Sequence, residues 1–243
     1  MRFPQKPLLA LLVVLSVITA ACGAGVPAVE EPAESAPTTT PVDSGRASPG
    51  ESILVLGDSI MEWNIESGQS IPDVIEDVLG VDVTNASAGG ASAHDVPDQY
   101  AEAGGDHDWV VFDGGGNDLN DECGCGECVA VADSIVSADG SAGVLASFTE
   151  SLVADDRRVA LVGYYEIPEG AAFGFDRCVD DLAEHNERLR ALAGRFDSVV
   201  FVDPSEVVKA TDATAFDDDD VHPSVEGSRL VGEQIAAAIA SAG

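Results

Sequence analysis

Basic side chains are scarce. Of 243 residues only 11 are Lys or Arg, against 44 Asp or Glu, for a formal net charge of −33. A phosphate backbone is held by clustered cations, so this shortage excludes nucleic-acid binding as a main function. It argues equally against electrostatic docking on anionic lipid. Such charge keeps a chain soluble through self-repulsion and suits an acidic surface in a salty environment. Aromatics are few, 5% of the chain. Five cysteines are too few to build a disulfide mini-protein and too many to ignore. The pentapeptide Gly-x-Ser-x-Gly occurs nowhere, which removes the strand–elbow–helix esterases built on it. A phosphate loop is also missing, because Gly114 to Asn117 is not followed by Lys-Ser/Thr.

What is present begins with an export signal. Met1 to Pro7 carries Arg2 and Lys6, and Leu8 to Ala21 is apolar apart from Ser16 and Thr19. A basic start and an apolar run of about 14 residues make a secretory signal, too short to span a bilayer comfortably. The run ends in Thr19-Ala20-Ala21-Cys22, which resembles a bacterial lipobox with Cys22 as the lipidated residue, although Thr19 stands where Leu is usual. Plain secretion with cleavage nearby is the alternative. Residues 22–50 then turn to Pro, Ala, Glu, Ser, Thr and Gly without hydrophobic period, so nothing offsets the ordering entropy and a disordered linker is expected. Residues 51–243 form one domain, with no internal repeat.

That domain alternates strands and helices. Ile53 to Leu56, Val81 to Val83, Trp109 to Phe112, Val159 to Val162 and Ser198 to Val202 read as five short apolar strands. Helical spacing recurs in Ile71 to Leu79, Asp180 to Ala193 and Val225 to Ala240, and 129–155 reads as helix broken near Asp139-Gly140. Such alternation predicts an α/β fold, a three-layer α/β/α sandwich around a five-stranded parallel sheet of flavodoxin-like type. Ligand sites of these sheets lie at the carboxyl ends of the strands. The polar motifs fall there: Gly57-Asp58-Ser59-Ile60, Asn85-Ala86-Ser87-Ala88-Gly89-Gly90, Gly114-Gly115-Gly116-Asn117-Asp118 and, before the last helix, Asp219-Asp220-Val221-His222-Pro223.

Each motif alone is weak, but four in this order resemble the SGNH hydrolases, the GDSL-type esterases and lipases, over about Ser52 to Ser241. The resemblance implies Ser59 as nucleophile, Asp219 and His222 as its partners, and Ser59, Gly90 and Asn117 as oxyanion donors. Gly89 is the rival of Gly90, and matching Asn85 and Ser87 to the family pattern favours Gly90.

The chemistry points the same way. A serine hydroxyl needs a base within hydrogen-bond reach, and His222 alone of four histidines has an acid three residues before it and a proline after it. Asp219 then holds its tautomer. Asp58 is expected to be a structural hydrogen-bonder, and His94, His107 and His185 to sit in loops or on a polar helix face. Trp63, Phe173 and Phe175 are apolar candidates for pocket walls. Cys123, Cys125 and Cys128 follow the Gly-Gly-Asn-Asp motif, with Cys178 a distant fourth. In an oxidising compartment two disulfides are favoured over a structural zinc site, with three pairings open. The expectation is a monomeric, extracytoplasmic esterase without metal or organic cofactor, touching membrane only through its lipid anchor. Its substrate would be a small-molecule or glycan ester with a short acyl group, since no long apolar lid segment exists to cover a fatty tail. The alternatives are a lysophospholipase or thioesterase of the same family, or a catalytically silent surface-binding lipoprotein.

Overall fold

The computed structural model describes residues 51–242; the expected signal segment 1–21, Cys22 and the linker to residue 50 lie outside the described residues. The elements run β1 (Ser52–Leu56), α1 (Ser59–Glu62), α2 (Ile71–Leu79), β2 (Asp82–Asn85), α3 (Val96–Ala103), β3 (Trp109–Phe112), α4 (Gly116–Cys123), α5 (Val129–Ile135), α6 (Val144–Ala154), β4 (Arg158–Val162), α7 (Val179–Ala193), β5 (Val199–Val202) and α8 (Val225–Ala242). Short 3-10 turns cover Ile65–Ser67, Ala172–Arg177 and Pro204–Glu206.

All five strands pair in parallel in the order β2-β1-β3-β4-β5. The central strands β1, β3 and β4 are apolar and buried along almost their whole length, because helices cover both faces of a parallel sheet. β2 lies at the edge and alternates exposed with half-buried residues. Chain direction across the sheet reverses between β1 and β3, which makes the crevice outside their carboxyl ends the natural ligand site.

Local signals explain the helix limits. Ser70 and Asp73 reciprocally cap the start of α2, and Gly80 ends it in a left-handed conformation. α8 packs on α2, where a Cβ at Gly232 would lie 2.6 Å from Val74 Cβ, so only glycine permits that approach.

The structure corrects several expectations. β2 is shifted by about one residue, to Asp82–Asn85. The 129–155 stretch, by contrast, is broken near Asp139-Gly140 as expected, into α5 and α6 separated over 136–143. α3 and α4, within 91–108 and after Gly114 to Gly116, are not among the helices expected from the sequence. His185 is not on a polar face: it is 1% exposed, and its Nε2 lies 2.9 Å from the Gly114 carbonyl. A carbonyl only accepts, so Nε2 carries the proton. Burial above all, with Arg188 adding, lowers this imidazole from 6.5 to about 4 despite the bond to Gly114.

Candidate active site

β1 exits through Gly57, whose φ of 128° belongs to the region that disfavours side chains. A Cβ there would lie 1.7 Å from Asp113 Oδ1, so glycine clears room for a buried carboxyl from the end of β3. Gln99 clamps the same turn: Gly57 N–H donates to its Oε1 at 2.7 Å and its Nε2 donates to Gly57 O at 2.8 Å. Asp58 caps α1 by accepting the Ile60 N–H at 2.9 Å. Its other oxygen accepts from the Tyr164 hydroxyl at 2.7 Å, and that hydroxyl accepts the Gly116 N–H at 3.0 Å. Asp58 is thus the structural hydrogen-bonder expected, tying the β1 turn to the start of α4.

Beneath it, Asp113 accepts the Asp58 N–H at 2.9 Å, while its Oδ2 is buried without a hydrogen-bond partner among the described residues. Burial first, and the neighbouring Asp58 carboxylate second, push Asp113 well above the ordinary 3.8 and favour its neutral form. Two carboxyls in one dry place cannot both ionise cheaply.

Ser59 opens α1, so its N–H has no carbonyl one turn earlier to bond. Its Oγ lies 2.9 Å from His222 Nε2, and His222 Nδ1 lies 2.6 Å from Asp219 Oδ2. A carboxylate only accepts, so Nδ1 carries the hydrogen and Nε2 is free to accept from the Ser59 hydroxyl. Asp219 Oδ1 accepts the N–H groups of Val221 and His222, each at 2.9 Å. Partial burial raises this carboxyl, but the His222 backbone and imidazole bonds and the Val221 bond outweigh it and hold it below 3.8.

Neighbours fix the imidazole. Trp63 stacks on it with centroids 3.8 Å apart and planes 6° from parallel, and the indole N–H donates to Asp217 Oδ2 at 2.8 Å. Tyr165 donates to Val221 O at 2.7 Å, and Asn64 Nδ2 donates to Pro223 O at 2.9 Å.

Asn117 borders the same slot as Ser59, and one of its two amide hydrogens is bound by Ala91 O at 2.9 Å, which orients the group and leaves the second donor. A Cβ built on Gly89 would lie 4.0 Å from Ser59 Cβ, whereas one on Gly90 would meet nothing within 4 Å. The structure therefore brings together Ser59, His222, Asp219 and Asn117. The slot holds about 20 Å³ and is walled by Tyr164, Tyr165, Ile167, Phe175, Leu182 and Val221. A larger hollow of about 750 Å³, bordered by Cys128, Asp133 and Glu184, lies away from Ser59, and its Arg188 is already bound to Asp133, Glu184 and Val136 O.

The cysteines pair as Cys123–Cys128 and Cys125–Cys178. The second joins the end of α4 to the start of α7 and fixes the 172–177 turn between them.

A partly buried Ser–His–Asp arrangement at the switch point of a parallel sheet fits an ester-hydrolysing enzyme of the α/β/α type, the class to which the family match assigns the chain. The chain belongs to the GDSL-like lipase/acylhydrolase family, whose model matches residues 55–230. Solved structures share the fold. A GDSL-like lipase from Bacteroides thetaiotaomicron is 20% identical with a TM-score of 0.60, the match covering 79% of this chain and 89% of that one. An acetylxylan esterase from Geobacillus stearothermophilus, solved as a catalytic mutant, is 19% identical with a TM-score of 0.59, covering 80% and 96%. A carbohydrate esterase family 2 enzyme from Corynascus thermopiles (Myceliophthora fergusii) is 16% identical with a TM-score of 0.56, covering 81% and 67%. No curated protein matches.

Proposed function

We propose that this protein is a serine esterase that removes short acyl groups, acetyl above all, from an alcohol or glycan. The observation that carries the reading is the continuous contact from Ser59 Oγ through His222 to Asp219, at 2.9 and 2.6 Å. Ser59 Oγ attacks the ester carbonyl as His222 Nε2 takes its proton, a step worth roughly 10²–10⁴-fold. Asp219 keeps the tautomer and stabilises the imidazolium. The Ser59 N–H, a backbone N–H of the Gly89-Gly90 pair and the Asn117 amide receive the oxyanion. Collapse breaks the bond to the alcohol oxygen, which takes the proton from His222. Water, deprotonated by the same imidazole, then attacks the acyl-enzyme and releases the acid and Ser59.

Acyl length follows from space. A water needs about 10–15 Å³ of such room, so a slot of about 20 Å³ suits a methyl-sized group and not a fatty tail. Each further methylene left in water forfeits roughly 0.8 kcal/mol. The two disulfides fit an extracytoplasmic location, and no described helix is long and apolar enough to cross a membrane.

A fluorophosphonate probe should label the wild type and leave Ser59→Ala unlabelled. Labelling that survives the substitution would remove Ser59 from the nucleophile's role.

A further inference from the structure

The proposed reaction fixes where the alcohol must sit. Its oxygen receives a proton from His222 Nε2, so at bond breaking it lies within hydrogen-bond reach of that atom, close to where Ser59 Oγ now stands. Whatever the oxygen carries must extend past the imidazole. One face of that ring is taken by Trp63 at 3.8 Å. The other aromatic beside it is Phe173, with centroids 6.3 Å apart and planes at 66°.

Phe173 has the marks of a residue kept for contact rather than for packing. Its side chain is 69% exposed in a chain poor in aromatics. Its φ is 58°, a left-handed conformation that bulky residues seldom adopt and that persists only where surrounding structure imposes it. The surroundings do impose it. Phe173 O accepts the Asn120 amide at 3.1 Å, and the preceding Ala172 N–H donates to Asp219 O at 2.9 Å. The turn ends at Cys178, which is bonded to Cys125. Phe175, two residues on, lines the slot beside Ser59, so a single turn supplies an aromatic to the acyl slot and another to the space outside it.

We propose that Phe173 is the alcohol-binding contact of this enzyme, receiving the apolar ring face of an uncharged alcohol such as a sugar or aryl alcohol. The proposal rests on the esterase reading above. The charge of −33, and Asp217, Asp218 and Asp220 in the loop that carries His222, select against an anionic alcohol. The rim position makes the effect one on binding, read in KM, while the acyl chemistry is common to all substrates.

The test holds the acyl group constant. Wild type, Phe173→Asn and Phe173→Tyr are assayed on ethyl acetate, 2-naphthyl acetate and glucose pentaacetate. Asn accepts a left-handed backbone, so it removes the ring without distorting the turn. The ratio of KM for a ring-bearing acetate to KM for ethyl acetate is taken within each variant, which cancels any general loss of active protein. In Phe173→Asn this ratio should rise about two- to twelve-fold, the size of a ring contact, and Phe173→Tyr should restore it. A rise with both ring alcohols, or with one of them, supports the contact and tells which ring it serves. A ratio that moves less than two-fold in Phe173→Asn, with the enzyme active, overturns the Phe173 assignment alone. A wild type silent on every ester overturns the esterase reading and this one with it.

Discussion

The most exacting test of the site's architecture is an acid titration of stability centred on His185. Its ring is buried behind the Gly114-Gly115-Gly116 turn that delivers Asn117, and its Nε2–H is bound to Gly114 O. Folding holds this imidazole near 4 against an ordinary 6.5, chiefly because burial disfavours the charged form. The sign follows. Above 6.5 both states are neutral and the group costs nothing. As pH falls below 6.5 the unfolded chain takes a proton that the folded chain refuses, so stability drops until the folded value is reached. A gap from 6.5 to about 4, at 1.36 kcal/mol per pH unit, makes the full loss roughly 3 kcal/mol by pH 4. Gln at this position can still donate to Gly114 O but does not titrate. Urea unfolding of wild type and His185→Gln at pH 7 and pH 4 isolates the contribution, because other carboxylates titrate alike in both. Wild type should lose about 3 kcal/mol more than the variant over that interval. Parallel stability–pH curves would refute the buried neutral imidazole and the argument built on it.

Two further outcomes are expected. Asn117→Ala should lower kcat by roughly 10²–10³ with a much smaller change in KM, as loss of an oxyanion donor does, and a raised KM with kcat unchanged would assign Asn117 to ground-state binding. Asp113→Asn keeps the acceptor for the Asp58 N–H but cannot ionise. The neutral Asp113 contributes stability that is complete below the ordinary 3.8 and is lost as pH climbs through its raised folded value. Denaturant midpoints should therefore decline in wild type relative to the variant as pH rises above 3.8; a difference that stays constant as pH rises counts against the buried pair.

What was legible in the sequence follows from burial. β1, β3 and β4 are fully covered, so they read as unbroken apolar runs, and the motifs at their exits are contiguous in sequence. α3 escaped because Val96 is its only buried residue, which leaves no period to detect. α4 escaped because it begins Gly-Asn-Asp and buries Gly116, Asp118 and Leu119, a stripe without apolar spacing. His185 was readable after all: it falls three residues after Leu182 and four before Leu189, on the buried face of α7. Asp113, Gln99 and Tyr164 gave no such signal. Their part in the site depends on which strand ends become neighbours, and single residues at the end of a strand or within a helix carry no record of that.

The loop that carries Asp219 and His222 closes on itself. Phe216 pairs with Pro223 across an isolated antiparallel bridge, and the Asp217 N–H donates to His222 O at 2.9 Å. Carboxylate and imidazole thus belong to one short ring of chain, whereas Ser59 stands 163 positions away on the far side of the contact. Mechanically the relay has one stiff link and one joint. A substitution that displaces the ring moves its acid and base together, and the Trp63 and Asn64 contacts to His222, Asp217 and Pro223 are then what hold it to the segment that carries Ser59. Slackening of the enzyme should accordingly register as a serine that stops reacting while the imidazole still keeps its carboxylate.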